Sequence, residues 1–273
     1  VLVFSCFFLG FKIEHARCNL PRHPCYLILR KTVLLRSLFS QFQIFHPPTI
    51  CAFGTIAIFT ASHKSTMISY LILFHAVLGG LALAGGLTAL IVKKGSSLHK
   101  LAGKVFFWCM LVGVLASLVI CWLPDHENVF LFVIGIFSLY MILSGYRALG
   151  YVKRGLQATD WVIAWSMMIT AVAMLLIALL QGGDAMVLLL IFGFLSFFMS
   201  FGDLRIFRNP EKLRSSWLKL HVSKMIGGYI AATTAFVVVN GVIPGIYGWL
   251  APGIVGSFFI TFWMRKLTPA SKK

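Results

Sequence analysis

The 273-residue chain is 59% hydrophobic and only 11% charged, with a mean hydropathy of +0.92. Soluble domains carry about 25% charged residues, so this composition excludes a water-soluble globule as the main architecture. The net charge of the chain is +17, and all seventeen Lys and Arg residues after Met67 lie in short loops or at the ends of long apolar blocks. That distribution argues against a nucleic-acid-binding surface and indicates the loop-charge bias of a membrane protein.

Residues 1–66 differ from the rest of the chain. They mix short apolar runs with prolines, basic residues and most of the cysteines, and no run approaches the ~20 residues that a transmembrane helix needs. Met67 is the first methionine and directly precedes the first long apolar block. We therefore predict that this poorly defined extension is translated upstream sequence. The alternative is an interfacial extension, supported by Arg30, Lys31 and Arg36 among Leu and Phe.

Seven apolar blocks follow, each long enough for a helical span. They are continuously apolar and show no two-residue alternation, so helices are favoured over a barrel. The sequence thus predicts an all-α integral membrane bundle of seven transmembrane helices over residues 67–273. The predicted spans are 68–92, 105–123, 129–149, 161–180, 185–202, 217–239 and 245–264.

The connections between these blocks alternate in charge. Connections 124–128 and 181–184 have no Lys or Arg, whereas those on the other side hold basic residues that include Arg147, Arg205 and Lys224. By the positive-inside rule, this pattern predicts an N-terminus outside and a C-terminus in the cytoplasm. Anionic lipid is the expected partner at the cytoplasmic face, and nucleic acid is not.

Polar residues near the predicted inner ends suggest local structure. Asn209, followed by Pro and Glu, is typical of a helix start and predicts a short surface helix that runs into the sixth span. Arg147, Asp160 and Asp203 all lie at inner helix ends. We expect them to form a charge network whose role is structural.

Three histidines lie in or beside predicted spans, and a glycine shares the helical face of each. The pairs are His75 with Gly79, His99 with Gly103 and His221 with Gly228. A haem between helices needs an imidazole on its iron and small residues against which the porphyrin can lie. These six residues are therefore the candidate cofactor-binding set.

The predicted topology places His99 and His221 together near the inner surface and His75 toward the outer third of its helix. We expect His99 and His221 to be able to ligate the same haem b iron or metal ion, with His75 serving a second site. The competing interpretation is that the histidines are polar anchors and that the glycines only allow close helix packing.

No nucleophile elbow, phosphate-binding loop or metalloprotease motif occurs, so no catalytic residue is predicted. The favoured function is a multi-pass membrane protein with a haem-dependent redox or assembly role. A small-molecule transporter or channel is the alternative, because Pro244 and Pro252 could break the seventh helix. A structural membrane subunit is the third hypothesis.

Two stretches carry a family resemblance. One runs from Phe74 through His75 to Phe107 and includes His99, Lys100 and Gly103; the other is Leu220–Phe236, closing with Val239 and Asn240. Both resemble a bacterial family of predicted membrane proteins known only as domain of unknown function 2306. The resemblance covers most of 67–273 and implies a multi-pass protein of the bacterial inner (plasma) membrane, but no activity. The histidine layout is also loosely similar to b-type transmembrane cytochromes, with His126 a weak substitute for a missing outer histidine.

Overall fold

The computed structural model describes the backbone of residues 49–180 and 182–267, and the side chains from Thr66 onward within those ranges. The chain divides into two compact units, Val1–Met67 and Ile68–Lys273. The basic residues proposed to anchor an N-terminal extension lie outside the described residues. That the native protein begins at Met67 stays a prediction.

The described residues form eight helices and no strand. Seven of these helices are long and apolar enough to cross a membrane, which confirms an all-α, multi-pass architecture. The helices are α1 Thr49–Ile91, α2 Ser97–Ile120, α3 Val129–Ala148, α4 Tyr151–Arg154, α5 Ala158–Ala178, α6 Gly183–Phe207, α7 Pro210–Val239 and α8 Gly245–Lys266.

Several helices extend beyond the apolar blocks that predicted them. Helix α2 begins eight residues before the predicted position 105, because Ser96 caps it by accepting a hydrogen bond from the backbone N–H of His99 at 3.1 Å. At α7, Asn209 accepts from the backbone N–H of Lys212 at 3.1 Å. The predicted surface helix and the sixth span are therefore a single helix.

Helix α8 is continuous through Pro252. A side chain on Gly256 of α8 would collide with Ile230 of α7, so the two helices pack closely at this point. A broken seventh helix was the sequence feature that suggested a transporter, and α8 does not have it.

The core lies around α3, which is half buried over its apolar window, against 6% for the first and last spans. On one side, α2 and α3 pack through Phe106, Phe107 and Ile142. On the other, Met141 of α3 packs against Met167 of α5. The outer faces of the bundle carry large exposed apolar side chains, as expected for contact with lipid.

The basic connections lie at one end of the bundle, here called the basic end. The ammonium groups of Lys94, after α1, and Lys266, at the end of α8, each lie 5.1 Å from the ring centroid of Trp263. At the opposite end, Phe130 packs edge-on against Trp249 with a centroid separation of 5.0 Å. Basic residues thus share one end, while the side of the membrane that this end faces stays a prediction.

Candidate functional site

His99 and His221 lie at the basic end and make the same type of hydrogen bond. Nδ1 of His99 bonds the backbone carbonyl of Ala89 in α1 at 3.0 Å, and Nδ1 of His221 bonds that of Gly145 in α3 at 2.9 Å. A carbonyl only accepts, so each Nδ1 carries a proton, and in the neutral ring Nε2 holds the lone pair. No described residue bonds either Nε2.

The two rings lie within electrostatic reach of each other. Both are half-buried, so neither is sealed inside the protein. The side chains that the sequence placed together by topology therefore lie at the same end of the bundle.

His75 repeats the arrangement at a different depth. Its Nδ1 bonds the backbone carbonyl of Gly113 in α2 at 2.8 Å. Gly113 follows His99 by fourteen residues on α2, a rise of roughly 21 Å along a helix. His75 therefore cannot share a ligand atom with His99, in agreement with the separate site that the sequence suggested.

The three candidate glycines have different surroundings. A Cβ atom on Gly79 or on Gly103 would meet nothing within 4 Å, so there is open space beside both. A Cβ on Gly228 would instead lie 2.9 Å from the side chain of Ile142 in α3. The space beside Gly228 is filled by protein, which makes this glycine a helix-packing residue and corrects its assignment to the cofactor-binding set.

A haem suits the two histidines better than a bare metal ion does. A structural zinc ion takes four protein ligands, whereas the porphyrin supplies four of the ligands of a haem iron. No group of three or more His, Cys, Asp or Glu side chains in the described part of the chain could hold a metal ion. The Nδ1–H to carbonyl bond is also the arrangement that orients ligating histidines in metal sites.

A second polar site, the ion-pair cluster, consists of Tyr140 of α3, Asp203 of α6 and Lys224 of α7. Nζ of Lys224 donates to Oδ2 of Asp203 at 2.5 Å and to the Tyr140 hydroxyl, which itself donates to Oδ2 at 2.7 Å. The side chains of Lys224 and Asp203 are only 3% and 5% exposed. Nζ also lies 3.7 Å from the ring centroid of Tyr140.

The cluster lies within the bundle, since Tyr140 precedes the end of α3 by eight residues, or about 12 Å. Counting Lys224 among the basic loop residues was therefore wrong. Lys224 lies within an otherwise apolar stretch of α7, and its counter-ion, Asp203, comes from α6.

The expected network of Arg147, Asp160 and Asp203 forms only in part. Arg147 pairs with Asp160 at 2.5 Å, and Asp160 also accepts from the backbone N–H of Gln157 at 2.9 Å, which caps α5. The Tyr151 hydroxyl in α4 donates to Asp160 at 3.4 Å. Burial, assisted by the charge of Asp160, raises the pKa of Tyr151 well above its ordinary value, so this phenol stays a neutral donor.

A cavity of about 280 Å³ opens at the end opposite the basic end, between α6, α7 and α8. Asp184, Pro244 and Trp249 are among its lining residues. None of the candidate histidines lines it, so the cavity is separate from both polar sites.

No family model, no curated protein and no solved structure matches this chain. The resemblance to domain of unknown function 2306 therefore stays a prediction. The function must be argued from the side chains themselves.

Proposed function

We propose that this multi-pass membrane protein binds haem b through His99 and His221 and serves a redox or assembly role, with His75 as the ligand of a second site. The observation that carries the proposal is the shared bonding of the three rings. Each gives its Nδ1 proton to a backbone carbonyl and leaves Nε2 without a partner among the described residues. His126 in its exposed loop also bonds a carbonyl through Nδ1, but only His75, His99 and His221 reach the carbonyl of another helix.

Each part of the surroundings has a role in this proposal. The carbonyls of Ala89 and Gly145 fix the tautomer and the ring orientation, and hydrogen bonding of Nδ1–H raises the basicity of Nε2. The open space at Gly103 leaves room beside α2 for a flat group. Bound haem would supply one-electron chemistry, while the apolar helices limit the access of water.

Absorption spectroscopy of the full-length protein, purified after expression with added haem, tests the proposal. We expect Soret and alpha bands that His99→Ala or His221→Ala lowers, and any absorbance that remains should be lost when His75→Ala is added. His126→Ala is the matched control, because Nδ1 of His126 bonds only the nearby Pro124 carbonyl at 3.2 Å in an exposed loop. A haem-supplied preparation without these bands, or bands unchanged in the His99→Ala/His221→Ala double variant, would contradict it.

We also propose that the basic end faces the cytoplasm of a bacterial inner membrane and contacts anionic lipid. Lys94, Lys153 and Lys266 lie at or near this end, as cytoplasmic lysines do. Labelling of single cysteines placed in the α3–α4 and α2–α3 connections of intact cells tests the orientation. Labelling of the α3–α4 position by a membrane-impermeant reagent would overturn it.

A further inference from the structure

We infer that the ion-pair cluster of Tyr140, Asp203 and Lys224 is a site that exchanges a proton for a small monovalent cation. The inference goes beyond haem binding and does not depend on it. It rests on the burial of the cluster within the bundle, on an open ligand position at Asp203 and on a net charge that the exchange leaves unchanged.

Burying the ion pair of Lys224 and Asp203 is costly. Removing an ammonium and a carboxylate from water costs several kcal/mol per ion, and well-packed apolar side chains stabilise such a position at least as well. Ionisable residues inside a membrane bundle are rare and mark ion or proton pathways. Lys224 and Asp203 are therefore poor candidates for a purely structural contact.

Asp203 has an unfilled ligand position at its second carboxylate oxygen. Both hydrogen bonds to Asp203 reach Oδ2, and no described residue donates to Oδ1, although Asp203 is only 4% exposed. On the same helix, Ser196 is 0% exposed, and its hydroxyl is the one buried side-chain oxygen or nitrogen without a partner among the described residues. Oxygen atoms without a donor are what a small hard cation binds.

These oxygens lie on one face of α6. Ser196, Ser200 and Asp203 follow at spacings of four and three residues, which places them on one side of the helix, and both serines are 0% exposed. The cluster therefore continues along α6 as a line of oxygen-bearing side chains. Ser200, one turn from Asp203, offers a cation there a second oxygen, while Ser196, two turns or about 10 Å away, is a further position along α6.

The charge balance of the cluster sets the stoichiometry of the exchange. The resting cluster holds one positive charge, the Lys224 ammonium, against one carboxylate. When a monovalent cation binds Asp203, an Nζ–H bond of Lys224 breaks, the electron pair stays on nitrogen and the proton leaves for the solution. The net charge of the cluster is unchanged. Keeping both positive charges would leave an uncompensated charge in a low-dielectric interior, so the exchange is one for one.

Polar groups connect the cluster to the basic end. Tyr151 of α4 lies within electrostatic reach of Tyr140 and Asp203, and its hydroxyl bonds Asp160 of α5. Asp160 pairs with Arg147, whose side chain is 20% exposed. Among the described residues, Tyr151, Asp160 and Arg147 are the titratable and charged side chains near the cluster on neighbouring helices, and they lie between it and the solution at the basic end.

On α7 itself, His221 lies one turn before Lys224. Its protonated Nδ1 is already bonded to the Gly145 carbonyl. This nitrogen therefore cannot accept the proton that Lys224 releases.

Proton release on cation addition tests the inference. Full-length protein in weakly buffered detergent solution at alkaline pH receives LiCl, NaCl or KCl, with choline chloride as the ionic-strength control, while a pH indicator records the proton. We expect at least one of the three salts to release a single proton per protein. Asp203→Asn and Lys224→Met should abolish the release, and Lys212→Met, at an exposed position of the same helix, should retain it.

The Asp203→Asn/Lys224→Met double variant keeps the inference falsifiable if a single variant does not fold, because it leaves no buried charge unpaired. It should fold and release no proton. Release equal to choline chloride for all three cations would overturn the inference. Release that persists in Lys224→Met or in the double variant would overturn it equally.

Discussion

The histidines and the ion-pair cluster are both polar groups in an apolar bundle, but they are satisfied in opposite ways. His75, His99 and His221 each use one ring nitrogen on a backbone carbonyl, and no described residue bonds the other. In the cluster, Lys224, Tyr140 and Asp203 satisfy one another, and only one carboxylate oxygen stays open. This difference agrees with the two proposals: the histidines would bind an added ligand, whereas the cluster, whose charges already balance, would exchange one cation for another.

The largest expected effect comes from making the cluster charge-unbalanced. Lys224→Ala leaves the Asp203 carboxylate buried without a counter-ion, and we expect a loss of ~3–5 kcal/mol in the free energy of unfolding. Asp203→Leu/Lys224→Met removes both charges and should be close to neutral or stabilising. Thermal unfolding in detergent measures both, and equal melting temperatures for the two variants would show that the pair carries no buried charge cost.

The next largest effect is expected at the contact between α3 and α7, which lies beside both polar sites. A Cβ on Gly145 would lie 2.9 Å from the Cβ of Lys224, so Gly145→Ala forces the helices apart. We expect a loss of about 1–3 kcal/mol in unfolding free energy from overpacking. Gly79→Ala, with nothing within 4 Å of the added atom, is the control for stability. A Gly145→Ala protein as stable as the control would mean that the contact is loose.

A smaller effect on stability is expected at Gly103, where stability and haem incorporation together tell a ligand pocket from a packing contact. Gly103→Ala adds a methyl group in open space inside helix α2 and should raise the unfolding free energy by no more than ~1 kcal/mol. If a porphyrin lies there, the same methyl group should lower haem incorporation, measured as the Soret absorbance per protein. Unchanged haem incorporation would remove Gly103 from the proposed pocket.

The smallest effect concerns Tyr151. Tyr151→Phe loses one long hydrogen bond to Asp160 and should cost no more than ~1 kcal/mol. Because the pKa of Tyr151 is raised in the folded protein, its contribution is fully present below the unfolded tyrosine pKa of about 10 and is lost as pH rises further. Melting temperatures across alkaline pH should therefore fall less steeply in the variant, and parallel curves would contradict this.

The sequence was sufficient for the helical class and the number of spans, because block length and hydropathy depend on each block alone. Helix starts were less accurate, since caps such as Ser96 lie outside the apolar window. The partners of Asp203 and Gly228 could not be predicted, because Lys224 and Ile142 come from other helices. A search for charged residues inside predicted spans would have found Lys224, although not its counter-ion.

Gly145 contributes its carbonyl to His221, and its missing side chain gives Lys224 room to pack. A shift of α7 against α3 that accommodates a cation at Asp203 would therefore also move the imidazole of His221. If both proposed sites are occupied in turn, they are thermodynamically linked through this one residue. Linkage is reciprocal, so the factor by which a cation changes haem affinity equals the factor by which haem changes cation affinity.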